Sequence, residues 1–547
     1  MAAADTPMER TMFVRKATGL VKGWSVFDAF IYSAFAINLM ALGFGYAFTG
    51  IAVFPEAGLI AAIVLSGLFI IFEVLTYASL IAVMPRAGGD YVWQSRVFGG
   101  GIGFVLAATG WWFILWHWVP IYANIMIIEF IQPILNVLGK NGTGTFDAAW
   151  WNPVHGTGIF IASLATAVIA AVAVSIGMRN YARFQKWCFY GAMAGLVIML
   201  ALFLFHSKAD FASAFNKQTD IFGSHDPNAY AKTVAAGHAA GVDYKGFGAF
   251  PLKATFLLIP FMLFYNLWPN WGATLYGEVR GASDFRKNIY AMGGALVFTT
   301  IVVVITFAAM AHAMGFNFYG ILSGEYWAAV TKAPTYWFPY PGMLAAMFIG
   351  NGFFQVVFLL LLSLWFFGWA GSVFLSSTRM IFAAAFDRIL PEWAAKVDDR
   401  THVPIAALLL MLVPSIPISY LYAYNSSFYG YTLDATVVIA ITYFGTTLSA
   451  IVLPWRRREI YQASPIAKYE LAGIPLVTIA GVIFGAFLAF CGYKWFTDDS
   501  YGINHSNSLK YMAVLYLIAI AIYIISRVVR RREGIDLAMI NSEIPVE

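Results

Sequence analysis

The sequence predicts an all-α integral membrane protein with twelve spanning helices. Three observations carry that expectation. Hydrophobic residues make up 61% of the 547-residue chain and charged residues only 11%, against roughly a quarter charged in soluble domains. Apolar runs of about 20 residues, enough to cross ~30 Å of hydrocarbon, recur along nearly the whole length. The basic residues segregate between alternate connections, as membrane orientation demands.

The apolar runs place helices 1 to 5 at Phe27–Val53, Leu59–Met84, Gly103–Ile131, Thr157–Gly177 and Phe184–Phe205. Helices 6 to 10 follow at Leu252–Tyr276, Ile289–Ala311, Met343–Phe386, Ile405–Tyr422 and Thr436–Leu453. Helices 11 and 12 are expected at Leu471–Phe490 and Ala513–Val529. The eighth run is too long to lie wholly in hydrocarbon, so its end from Arg379 onward is expected to project into water. With the N-terminus inside, 24 of the 33 lysines and arginines fall on the inner side, including every arginine. That pattern predicts an even number of spans with both termini in the cytoplasm, for a protein expected in the plasma membrane. It explains the net charge of +5 by orientation and excludes a nucleic-acid binder. The polar N-terminal stretch carries no apolar run with a small-residue cleavage site, so no removable signal peptide is expected. Cys188 and Cys491 lie in or beside apolar runs without metal-ligand spacing, as packing residues do. Two long outer connections, near His206–Phe250 and Ala313–Pro341, are expected to be loops, the first flexible.

Transporters can break a helix in mid-membrane, freeing backbone groups for a solute, and interrupted segments in corresponding helices mark such sites. Helix 1 carries Asn38, Gly43 and Gly45 in mid-span. Helix 6 carries Pro260, Asn266, Pro269, Asn270 and Gly272, which an unbroken helix accommodates poorly. The alternative is a proline kink packed against its neighbours. The offset of five spans implies two halves inverted in the membrane. Neither break carries a charged side chain, which favours a zwitterionic or neutral solute over a polyamine. Tyr265, Trp268 and Trp271 are positioned to close over a solute, or equally to pack.

Ionisable residues within spans are functional candidates. Glu73 lies ~16 Å along helix 2 from Met84 at 1.5 Å per residue. Glu73 and His117 are candidates for proton coupling, and Glu129 is expected near the outer interface. Ser372, Ser376 and Ser377 offer hydroxyls to a sodium ion, although serine in membrane helices mostly packs. The coupling ion is thus expected to be H+ or Na+, with no cofactor. The eight histidines are scattered, which argues against a membrane-embedded metalloenzyme. No filter-like repeat suggests a channel.

Three motifs resemble the amino acid–polyamine–organocation transporters. Met84-Pro85-Arg86-Ala87-Gly88-Gly89-Asp90-Tyr91 is similar to the signature loop after helix 2. Gly277-Glu278-Val279-Arg280 with Asn288 resembles the segment after helix 6. Arg379 with Asp387-Arg388-Ile389-Leu390-Pro391 and Val403-Pro404 resembles the helix 8–9 connection. The resemblance covers about Val14 to Arg458 and implies an amino acid permease of the LeuT type. The implied domains are a cytoplasmic segment (1–26), a five-helix repeat (27–206), an extracellular loop (207–251) and a second repeat (252–455). Helices 11–12 (456–529) and a cytoplasmic tail (530–547) complete the chain. The resemblance also implies substrate binding at Ile37, Asn38, Leu39, Met40 and Ala41, and at Tyr265, Asn266, Leu267, Trp268 and Asn270. Gly88, Gly89, Asp90, Tyr91, Glu278 and Arg379 would belong to a cytoplasmic gate, with Asp90 and Tyr91 in its loop. Three relatives' features are missing: a Gly-Ser-Gly break in helix 1, Gly-Phe-Glu in helix 6 and a lysine midway along helix 5. The expected function is alternating-access transport of an amino acid, as symporter or antiporter, with a polyamine or other organic solute as alternative. The expected partners are that solute and the lipid bilayer, for a monomer or homodimer.

Overall fold

The computed structural model describes residues 19–45, 49–139, 147–222, 225–242, 244, 251–329, 338–541 and 543–544. Arg10, Arg15 and Lys16, used above for orientation, lie outside the described residues. Twelve described helices are long and apolar enough to cross a membrane. Helices 1 to 6 are Val26–Val53, Leu59–Val83, Gly100–Val137, Thr157–Ser175, Met178–Phe205 and Leu252–Glu278. Helices 7 to 12 are Phe285–Met314, Gly352–Phe386, Ile405–Tyr424, Asp434–Arg456, Leu476–Thr497 and Ser506–Arg532. Local chemistry sets several of their starts. Ser25 and Asp28 form a reciprocal capping box at helix 1, and the Asn351 side chain caps the Phe353 and Phe354 amides at helix 8. Both satisfy amide donors that a helix leaves open at its first turn.

Helix 1 packs against helix 7, and helix 7 against helix 2. Helix 2 also contacts helices 6 and 11, and helix 11 contacts helix 10. Helix 8 packs on helix 5, while helices 3, 4 and 9 form a second cluster. The outward faces of the spanning helices are apolar: Val197 is 64% exposed and Leu517 61%. Such a surface is unfavourable in water and suits lipid.

Several expectations need correction. The eighth apolar run is two elements: a short helix at Pro341–Ala346, then helix 8 from Gly352, capped by Asn351. Helix 8 itself still has 35 residues, more than a span of hydrocarbon needs. Arg379, where its end segment begins, is buried within the protein. Helix 11 begins at Leu476, since Glu470–Leu471 and Ile474–Pro475 pair as a small antiparallel hairpin around Gly473. Helices 5, 7 and 12 extend beyond their apolar cores into charged flanks, which a hydropathy window clips. The two outer connections are partly helical: Lys208–Lys217 and Ala229–Ala239 in the first, Phe316–Ala328 in the second.

The Gly88-Gly89 pair fixes the chain after helix 2. Gly88 has φ +95° and a Cβ there would fall 2.4 Å from the Ala383 Cβ of helix 8. A Cβ on Gly89 would fall 2.9 Å from the backbone of Ala273 in helix 6. The Gly88 N–H donates to the Thr274 carbonyl at 2.9 Å. Both glycines are thus sites of close backbone approach between helices 2, 6 and 8. Gly88→Ala combines an unfavourable backbone conformation with overpacking and should cost about 2–5 kcal/mol. Gly99→Ala, at φ +102° with open space around it, bears only the backbone strain. Thermal unfolding of both variants in detergent should show the larger loss for Gly88→Ala, and equal losses would refute the packing account.

Candidate functional site

The α-helical part of helix 1 stops at Ile37. Asn38 takes φ 44° and ψ 78°, a left-handed conformation that asparagine tolerates better than most residues because its short amide can bond locally. Its Oδ1 accepts from the Ala41 N–H at 3.2 Å. Leu39–Gly45 continue in wider π-helical turns. In helix 6 the α-helix stops at Asn266, and a tighter 3-10 helix resumes over Trp271–Glu278. Leu267–Asn270 between them are non-helical. Pro269 has no N–H to donate, and the Trp268 and Asn270 amides have no backbone acceptor among the described residues. The α-helical part of helix 1 is tied to the helix 6 break, since the Ser33 hydroxyl donates to the Pro269 carbonyl at 2.7 Å. All of this lies inside the bundle: Asn38, Leu39, Leu267 and Asn270 are each 0% exposed.

Aromatic rings surround the helix 6 break. Trp268 meets Trp118 of helix 3 edge-on at 5.4 Å and Trp271 at 5.3 Å. Trp271 in turn meets Trp111 at 4.9 Å. These edge-to-face contacts are favourable beyond the area they bury. The Trp268 indole donates to the Phe264 carbonyl at 2.8 Å. Asn38 Nδ2, both amide atoms of Asn270 and the Thr274 hydroxyl are buried without a hydrogen-bond partner, while the Tyr443 hydroxyl of helix 10 faces Asn270. Unpaired buried polar atoms are costly in an apolar interior and commonly mark ligand contacts. Those at Asn38 and Asn270 flank the two breaks.

Other expected residues turn elsewhere. The Asn266 side chain reaches Ser66 of helix 2. With its amide oriented by its neighbours, it donates to the Met262 carbonyl and accepts from the Gly67 N–H at 3.2 Å. Asn266 therefore ties helix 6 to helix 2 rather than facing the Trp268 cluster. The Tyr265 ring packs beside Gly43. In helix 8, Ser372 and Ser376 meet tyrosines: Ser372 Oγ pairs with the Tyr122 hydroxyl at 2.9 Å, and Ser376 Oγ with Tyr32 at 2.9 Å. Ser376 also donates to the Trp271 carbonyl, and Ser377 bonds within its own helix. These hydroxyls knit helices 1, 3, 6 and 8 together around the breaks.

Asp90 departs from its expected loop. It begins a buried helix, Asp90–Phe98, and is 0% exposed. Its carboxylate accepts from the Tyr77 hydroxyl at 2.6 Å, the Thr446 hydroxyl at 2.6 Å and the Trp111 indole at 2.9 Å. Because Trp111 touches Trp271, one side chain links Asp90 to the helix 6 break. Burial lifts the Asp90 carboxyl to about 6, with the donors restraining the rise. Glu73 is the carboxylate that interacts with it electrostatically. Both Glu73 oxygens are buried without a partner. His117 sits apart, stacked on Phe428 at 4.9 Å with Nδ1 3.3 Å from the Tyr511 hydroxyl. Glu129 is 0% exposed, with neither oxygen partnered among the described residues.

Two buried ion pairs complete the region. Arg379 grips both oxygens of Glu278, at 2.6 and 3.1 Å. Arg96 pairs with Asp387, which also accepts from the Tyr91 hydroxyl at 2.8 Å. The side chains in both pairs are at most 1% exposed. The motifs after helices 2, 6 and 8 thus meet as Tyr91, Glu278, Arg379 and Asp387. Sequence reasoning missed Trp111, Trp118, Tyr443 and the role of Arg96. Their one signal was aromatic or charged character in a spanning or flanking helix, which many packing residues share.

Twelve spanning helices with two interrupted at a buried, aromatic-lined centre define a multi-pass membrane transport protein. The chain belongs to the amino acid permease family, whose model matches residues 27–522. It is 21% identical over 476 residues to the branched-chain amino acid permease BcaP of Lactococcus lactis subsp. cremoris. That match covers 86% of this chain and 87% of the relative. Membership makes the protein an amino acid transporter rather than an enzyme.

The folded Asp90 carboxyl titrates above the ordinary carboxylate value, so the folded protein binds the extra proton between about pH 4 and 6. Its contribution to stability is therefore greatest at low pH and is lost as pH rises through 6. Melting temperature measured from pH 4.5 to 7 should show this loss in the wild type and a flatter profile in Asp90→Asn. Parallel profiles would refute the assignment.

Proposed function

We propose that the protein moves a branched-chain or similar apolar amino acid by alternating access, bound between the breaks of helices 1 and 6. The observation that carries this reading is the pairing of two broken helices through Ser33 and Pro269, with unpaired polar atoms on both and no charged side chain at either break. The substrate carboxylate would meet the open amides at Trp268 and Asn270, and its ammonium the carbonyl ends of the α-helical segments that stop at Ile37 and Asn266. Helix termini carry the partial charges such a zwitterion needs. The apolar side chain would lie against Trp118, Trp268 and Trp271. The name of the Lactococcus relative favours leucine, isoleucine and valine within that class. The same arrangement supports a LeuT-type pair of inverted five-helix repeats, with both termini cytoplasmic in the plasma membrane. The pairs Arg379–Glu278 and Arg96–Asp387 would then close the cytoplasmic side and open in the opposite state.

For coupling, the proton is the ion we propose. Glu73 and Asp90 are two neighbouring buried carboxylates, and neither pairs with a cationic side chain among the described residues. Placing both charges together in an apolar interior is costly, and a proton removes the cost. Sodium is less well served, because Ser372 and Ser376 already bond to tyrosines.

Thermal stabilisation of purified protein across proteinogenic amino acids and polyamines tests the substrate, since a ligand of the folded state raises stability by mass action. Leucine, isoleucine and valine should raise the melting temperature, and Trp271→Ala should weaken that rise about tenfold or more in concentration while remaining folded. Stabilisation by putrescine alone would select the polyamine reading, and an undiminished response in Trp271→Ala would displace the site.

Coupling is tested in proteoliposomes. An inward proton gradient should drive uptake by the wild type. Glu73→Gln should lose this drive while retaining exchange of internal for external substrate. Uptake driven by sodium, or an unchanged proton response in Glu73→Gln, would overturn the proton assignment.

A further inference from the structure

A second polar cavity lies at the arginine-rich end of the bundle, away from the helix breaks. It has a volume of about 820 Å3, within the ~300–1,000 Å3 range of small-molecule pockets. Its walls are the start of helix 3, the end of helix 12 and the chain that follows helix 12. Arg527 and Arg531 enter it from helix 12, one turn apart and so on one face, and Arg457 enters from the end of helix 10.

These three arginines form no ion pair among the described residues. Arg457 donates through Nε to the Arg96 carbonyl, which leaves its positive charge unbalanced. Asp536, the carboxylate in the cavity wall, caps the Ala538 amide. The contrast with Arg530 is informative. It sits on the same turn as Arg527 and Arg531 but is fully engaged, by Glu533 and by the carbonyls of Arg388 and Leu390. A concavity with three cationic forks and one carboxylate matches the charge and geometry of a phosphate group, which guanidinium binds in a bidentate manner.

The rim points to the source of that phosphate. Ile102 lines the cavity and is 51% exposed. Ile524 and Val528, beside Arg527 on helix 12, are 55% and 47% exposed. A ligand held by the arginines would therefore have apolar, lipid-facing surface directly beside its polar head. We propose that this cavity binds a phosphate-bearing anion, occupied in the membrane by the headgroup of an anionic phospholipid. Basic pockets between spanning helices recognise headgroups by this chemistry.

The site also touches the ion pairs described above. Asn541 lines the cavity and packs on Gly100, where a Cβ would fall 2.1 Å from its Nδ2. Two residues on, the Glu543 carbonyl accepts from Arg96 Nε at 3.0 Å, and Arg96 holds Asp387. A headgroup bridging helix 12 and the following chain would steady that contact.

The test is the melting temperature of the full chain in a neutral detergent. The ligands are short-chain phosphatidylglycerol, phosphatidylcholine of equal chain length, glycerol phosphate and inorganic phosphate. Phosphatidylglycerol should stabilise the wild type and phosphatidylcholine should not. The apparent affinity should fall at least tenfold in the Arg527→Gln/Arg531→Gln double variant and be unchanged in Arg532→Gln, which lies outside the cavity. Both arginines of the double variant are exposed, so it should fold; retained stabilisation by the amino acid substrate would verify this independently of the lipid response. If it does not fold, competition between inorganic phosphate and phosphatidylglycerol on the wild type decides the matter. Equal stabilisation by inorganic phosphate and by the lipid, lost in the double variant, would overturn the lipid assignment in favour of a soluble phosphate. Undiminished lipid stabilisation in the double variant, or none in the wild type, would overturn the site.

Discussion

A backbone that leaves its helix inside hydrocarbon must find new partners for its amides and carbonyls, and much of this structure follows from that constraint. Helices 1 and 6 both break, and neither break faces lipid. Helices 3, 8 and 10 enclose them, and the Ser33–Pro269 hydrogen bond holds helix 1 against the helix 6 break. Helix 8 contributes hydroxyls at Ser372 and Ser376 that bond across to Tyr122, Tyr32 and the Trp271 carbonyl. The broken centre is polar enough to stand without lipid contact, and apolar enough in its tryptophans to exclude water.

The same logic governs the buried ion pairs. Arg379–Glu278 and Arg96–Asp387 are withdrawn from solvent, so removing one partner typically costs ~3–5 kcal/mol, although the intact pair contributes little net stability. A pair of that kind is better suited to specifying one arrangement of the chain than to raising stability. The Gly88-Gly89 approach serves the same arrangement by letting helices 6 and 8 meet the chain after helix 2 without intervening side chains.

The spanning helices were legible in the sequence because hydropathy reports the solvent a segment faces. All twelve were found, and the misplaced ends are those where charge or a cap overrides hydropathy, as at Asn351, Leu476 and the Arg179 turn of helix 5. The breaks were legible at Asn38 and Pro269, where residue chemistry contradicts a helix. Side-chain direction was not. Asn266 and Asn270 lie four residues apart, yet one reaches helix 2 and the other faces Tyr443, because the chain changes course between them. Asp90 read as a loop residue through the resemblance of its motif to a signature loop; its burial depends on Tyr77, Trp111 and Thr446, which the fold brings to it.

Asp90 also shows how the motif after helix 2 can do more than link two helices. Its two glycines bring the backbone against helices 6 and 8. Its aspartate then lies where Trp111 connects it to Trp271, and its tyrosine bonds to Asp387 of the second ion pair. One short segment thus touches the helix 6 break, the carboxylate pair and the arginine-rich end of the bundle. A change in protonation at Asp90 would alter the acceptor that orients Trp111, and through it the aromatic wall of the site. That path needs no long-range relay, only three side chains in contact, Asp90, Trp111 and Trp271.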